Sequence, residues 1–202
     1  LTQKDKNTDL IHISYSTPKT QSRVYKYNLR TKEKKLVKEQ IIPSGHNSQD
    51  YIVERLECIS HDGRKVPLTI TRHKKTKING NANLLLYGYG SYGNSMSPSF
   101  SSTRLSLINR DIIWVTAHIR GGLERGMKWW KEGKLLNKKN TFKDYLAVAR
   151  FLIEKKYTSK GKIIGMGGSA GGLLMGAVVN ESPDLFCGMV MAVPFVDSLT
   201  TN

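Results

Sequence analysis

The chain has 202 residues, 39 % of them hydrophobic, enough for one α/β domain or a small domain with part of another. No apolar run approaches the roughly 20 residues of a membrane span, and residues 1–15 lack the apolar centre of a secretion signal. The net charge of +16 is spread, with 17 basic against 8 acidic residues (+9) up to position 80 and 15 against 8 (+7) beyond it. No nucleic-acid motif accompanies that charge, so neither a nucleic-acid nor a membrane partner is expected. Cys58 and Cys187 lie far apart and match no metal spacing. The expectation is two buried free thiols in a reducing compartment, a cytoplasmic address and no metal or other cofactor. A start at Leu1 rather than Met points to a piece of a longer chain.

In chain order, residues 10–42 read as an antiparallel meander. Leu10–Tyr15 and Arg23–Leu29 alternate polar and apolar residues, and Lys35–Val37 follows after a charged turn. Three such strands are too few to close a sheet alone and suit the last blade of something larger. Pro43–Ser48 has linker composition. Tyr51–Ser60 and Lys65–Thr71 flank His61-Asp62-Gly63-Arg64, where Asp-Gly signals a hairpin. Lys74–Asn81 reads as a solvated loop.

From residue 84 the pattern changes. Leu84–Tyr87 and Ile112–Ala117 are short, continuously apolar runs, as expected of strands covered on both faces. Thr141–Tyr157 predicts a helix, with Phe142, Tyr145, Leu146, Ala149, Leu152 and Ile153 at helical spacing and Thr141…Asp144 resembling a capping box. Ile163–Ile164 predicts a strand, Leu173–Val179 a helix stopped before Pro183, and Gly188–Val193 another strand. Alternating strands and helices imply a doubly wound, mostly parallel sheet: a partial α/β-hydrolase fold carrying a β appendage at its N-terminus.

Between the Ile163–Ile164 strand and the helix after it lies Gly167-Gly168-Ser169-Ala170-Gly171-Gly172. A G-x-S-x-G in that context is a nucleophile elbow, with the Ser169 hydroxyl raised above the sheet and the glycines letting the backbone bend. The Ala170 N–H opens the helix and points to where an acyl oxyanion would form. An ordinary Gly/Ser turn before a helix is the bland alternative. A second oxyanion donor is expected from the loop Tyr87-Gly88-Tyr89-Gly90-Ser91-Tyr92-Gly93, either as a phenol donor or as no more than an aromatic turn under the sheet.

Five motifs in order carry a resemblance over residues 10–202. They are Tyr87–Gly93, Ile119-Arg120-Gly121-Gly122, Lys138–Tyr145, Gly167–Gly172, and Pro183–Phe186 with Val193–Asp197. Together they resemble the prolyl oligopeptidase family of serine peptidases, most of all its oligopeptidase B branch. The resemblance implies that residues 1–42 end a β-propeller domain and that residues 43–202 begin the catalytic domain. It also implies Ser169 as nucleophile, Tyr89 and Ala170 as the oxyanion hole, and Tyr92 lining the substrate pocket. The substrates it implies are short peptides cut after Arg or Lys.

Two departures qualify it. Leu123 stands where relatives carry a third glycine, which would shift a loop near the site. In the Ser…Asp…His order of this fold, neither partner is expected before Asn202. The isolated chain is therefore expected to be nearly inactive, a complementary C-terminal chain being one source of the Asp and His. His118 and Asp197 read as structural, and His12, His46, His61 and His73 as surface residues. An esterase or acyl-peptide hydrolase on the same fold and an inactive remnant with an exposed apolar edge are the alternatives.

Overall fold

The computed structural model describes residues 8–197. Within them two sheets form. Strands β1 (Leu10–Thr17), β2 (Thr20–Asn28) and β3 (Lys34–Glu39) make the expected antiparallel meander. It buries little, and Tyr15, Leu36 and Val37 remain exposed.

The link to the second sheet is fastened by a histidine. His46 Nε2 lies 2.8 Å from the Lys19 carbonyl oxygen, and its ring stacks on Tyr51 and meets Phe100 edge-on. This corrects the surface reading of His46, which is half-buried because aromatic partners from later in the chain close over it.

The second sheet has six strands in the order β4-β5-β7-β6-β8-β9. β4 (Tyr51–Ile59) and β5 (Lys65–His73) form the hairpin, whose turn closes with Gly63 N–H donating to Ser60 O and Gly63 at φ +79°. β5 runs antiparallel to β7 (Ile113–Ala117). β6 (Leu84–Tyr87), β8 (Ile163–Gly168) and β9 (Phe186–Ala192) run parallel to it.

Both faces of β6 are covered, as its continuous apolar run required. Leu84 and Leu86 join the core under α3 (Lys139–Glu154) and α4 (Ala170–Glu181). Leu85 joins a second cluster with Leu105 and Ile108 of α1 (Ser102–Ile108). A short α2 (Met127–Lys131) lies between β7 and α3. No helix among the described residues is long and apolar enough to cross a membrane.

Three expectations need correction. The third helix spans Lys139–Glu154 rather than Thr141–Tyr157, because Lys156 turns left-handed (φ +59°) and the N–H groups of Lys156 and Tyr157 close back on Ile153 O and Leu152 O. Thr141 and Asp144 are no capping box. Both are fully buried inside the helix, where Thr141 Oγ1 donates to the Arg120 and Gly133 carbonyls and Asp144 receives Arg120. Tertiary partners outcompeted the local pairing. Of the two thiols Cys58 is buried, which pushes it up to about 12, while Cys187 on β9 is exposed.

Candidate active site

β8 delivers the chain to Ser169, whose backbone sits at φ +54°, ψ −118° before α4 begins at Ala170. A non-glycine residue there stores about 1–3 kcal/mol of strain and must be held from outside. The holding bonds are backbone ones. Ser169 N–H donates to Ala192 O at 2.8 Å, and Ser169 O accepts from Gly172, Leu173 and Phe195. Ser169 itself is exposed. The elbow therefore presents its hydroxyl to solvent on a rigid frame.

The elbow glycines divide. A Cβ on Gly167 would overlap the backbone of Gly171, one on Gly171 would press on Gly88 O and the Tyr89 ring, and one on Gly172 would strike Pro194. Gly168 is different, for a Cβ there would meet only Ala192 at ordinary contact distance. Gly172 and Leu173 N–H fold back onto Ser169 O, so Ala170 and Gly171 supply the open donors of the helix's first turn.

Tyr89 is brought beside this turn: its half-buried ring lies against Gly171. Tyr92, at φ +57° and 74 % exposed, stands at a pocket of about 340 Å³. Ser91, Trp130, Lys138, Ala170, Leu173 and Phe195 also line it. Ser169, Ala170, Tyr89 and Tyr92 thus converge from two loops. Leu123 lies beside Gly93 at the end of the tyrosine loop.

His118 is not brought to Ser169. It is buried, with Nε2 2.8 Å from Thr69 Oγ1 and Nδ1 3.7 Å from the Glu124 carboxylate. Asp197 lies exposed beyond β9. Among the described residues, Ser169 makes its hydrogen bonds through its backbone, and no group of three or more His, Cys, Asp and Glu is placed to hold a metal ion.

Sequence reasoning missed the buried ion cluster beneath the site. Arg120 donates to Asp144 through its backbone N, Nε (2.8 Å) and Nη2 (2.6 Å), and to Asp62 through both terminal nitrogens. Ser60 Oγ donates to Asp144 as well. Burial works against the Arg120 charge, but its hydrogen bonds to Asp144 and Asp62 more than offset it and raise its pKa above the ordinary value. The next residue, Gly121 (φ +100°), lies so close to Gly90 that a Cβ would overlap the Gly90 carbonyl. Through Gly121, the backbone that follows Arg120 lies against the tyrosine loop. The cluster's only sequence trace was three charged residues inside three different motifs, far apart in the chain.

Residues 98–202 match the Prolyl oligopeptidase family. The chain is 43 % identical over 195 residues to dipeptidyl aminopeptidase BI of Pseudoxanthomonas mexicana, covering 96 % of this chain and 27 % of that protein. It is 41 % identical over 201 residues to protease 2 of Moraxella lacunata, covering 100 % and 29 %. Among solved structures, oligopeptidase B from Trypanosoma brucei superposes with a TM-score of 0.91 at 38 % identity, over 98 % of this chain and 28 % of that one. The chain thus spans less than a third of the length of these relatives.

Proposed function

Because the chain belongs to the prolyl oligopeptidase family, we propose that it is the nucleophile-bearing part of a serine peptidase that hydrolyses short peptides after Arg or Lys. The observation that carries the reading is Ser169, exposed and strained at the β8–α4 turn with Tyr89 against the same helix end. In that reading Ser169 Oγ attacks the scissile carbonyl, giving its proton to a base, and the oxyanion takes hydrogen bonds from Ala170 N–H and Tyr89 OH. Collapse returns the proton to the leaving amine and leaves an acyl-enzyme, which water then hydrolyses. The base and its orienting acid would come from a complementary C-terminal polypeptide. So would the carboxylates that recognise a basic side chain, since the charged residues lining the pocket are Lys134 and Lys138.

Residues 1–42 would be the end of a β-propeller, and residues 43–202 the first part of the catalytic domain. Two unpaired thiols, one exposed, favour a reducing cytoplasm. A second reading, release of dipeptides from a free N-terminus, is favoured by the name of the Pseudoxanthomonas relative.

The test exposes the chain to a fluorophosphonate probe and to an Arg-ended fluorogenic peptide. It is run alone and with the polypeptide encoded immediately downstream. Labelling at Ser169 and cleavage in the mixture, both lost in Ser169→Ala, are expected. Absence of labelling in both conditions overturns the peptidase reading. Cleavage only of peptides with a free N-terminus moves the assignment to the second reading.

A further inference from the structure

Lys138 occupies a place that its local sequence does not favour. It is the N-cap residue of α3 and makes no side-chain cap, and it puts a cation at the positive end of a helix dipole, followed at once by Lys139. Burial adds to the penalty by pulling its ammonium down to about 8. A site where local preference loses is where a functional demand is to be sought.

What Lys138 gains lies across the pocket. Its Nζ donates to Gly90 O at 2.6 Å and to Ser91 Oγ at 2.7 Å. These residues lie between Tyr89 and Tyr92, in a loop with three left-handed residues, Gly90 (φ +66°), Tyr92 (φ +57°) and Gly93 (φ +70°). The loop is also held by Gly88 N–H to Met166 O at its start, by Gly93 N–H to Gly121 O and by the turn bond from Asn94 N–H to Ser91 O. The titratable groups sharing the pocket with Lys138 are Tyr92 and Lys134, and α4 contributes only Ala170 and Leu173. Among the described residues lining the pocket, no carboxylate competes for the ammonium.

We propose that Lys138 is a positioning residue for acyl transfer: its ammonium clamps the Gly90–Ser91 turn, holding Tyr89 at the elbow and Tyr92 at the pocket. The tether itself stands on the geometry, while its consequence for turnover rests on the peptidase reading above.

Hydrogen–deuterium exchange on the 202-residue chain separates the two. In Lys138→Met, exchange across residues 88–94 is expected to rise about ten-fold while β6 and β8 are unchanged. Lys138→Arg, which keeps a donor, should restore most of the protection. Equal protection of 88–94 in wild type and Lys138→Met overturns the tether. In the peptidase reconstituted with its downstream polypeptide, Lys138→Met should lower kcat about 10- to 100-fold with KM within about three-fold. The thermal midpoint should stay close to wild type, and Lys138→Arg should partly rescue turnover. An unchanged kcat, or a fall in kcat matched by a fall in stability, overturns the positioning role. A wild-type pair without activity sinks the peptidase reading instead and leaves the exchange result to decide the tether.

Discussion

β6 and β9 flank β8 on opposite sides and draw on similar residues, yet one is buried and the other is not. Leu84, Leu85 and Leu86 of β6 are at most 6 % exposed, whereas Val190 and Met191 of β9 are 43 % and 41 % exposed and only Phe186 is buried. The difference is one of neighbours. β6 has β7 and β8 beside it, α3 and α4 on one face and α1 on the other. β9 has β8 on one side and no strand on the other among the described residues. Apolar composition makes a strand adhesive. What covers it is decided elsewhere.

The largest expected effect lies in the buried half. Arg120→Met leaves Asp144 fully buried without its cation and should cost about 3–5 kcal/mol in urea unfolding. A loss under about 1 kcal/mol would mean that water reaches the cluster and that this half is less dry than its geometry implies.

Leu86→Ala against Met191→Ala tests the comparison directly. The first should cost about 2–5 kcal/mol through a core cavity, the second within about 0.5 kcal/mol. Similar losses would break the contrast between the strands. Val190→Lys should leave stability within about 0.5 kcal/mol while reducing concentration-dependent association in light scattering, since a lysine blunts an open edge. Unchanged scattering would show that β9 is not the adhesive surface.

The last effect is a pH dependence. A lysine whose folded pKa lies below its unfolded value binds its proton more weakly when folded, so folding stability rises as pH increases between the two. Relative to Lys138→Met, the wild type should therefore gain stability from about pH 8 to about pH 10.5. A flat difference would mean that the ammonium is not desolvated.

Much of this protein was legible in its residues. Continuous apolar runs marked β6 and β7, the helical repeat marked the buried face of α3, and the glycines around Ser169 marked the elbow, each through spacing along a single stretch. Order of elements implied the sheet class. These features are local, or are set by connection rules that follow from local ones.

The tertiary structure alone decided what depends on residues far apart in sequence. It turned Thr141 and Asp144 from a helix cap into partners of Arg120, drew His46 under Tyr51 and Phe100, and placed Lys138 on the tyrosine loop. It left Cys187 exposed on β9, against the expectation of a buried thiol. Spacing can announce a residue's secondary structure, because neighbours along the chain create it. A charge's partner and a strand's cover are selected by desolvation and contact in three dimensions, which one-dimensional order does not encode.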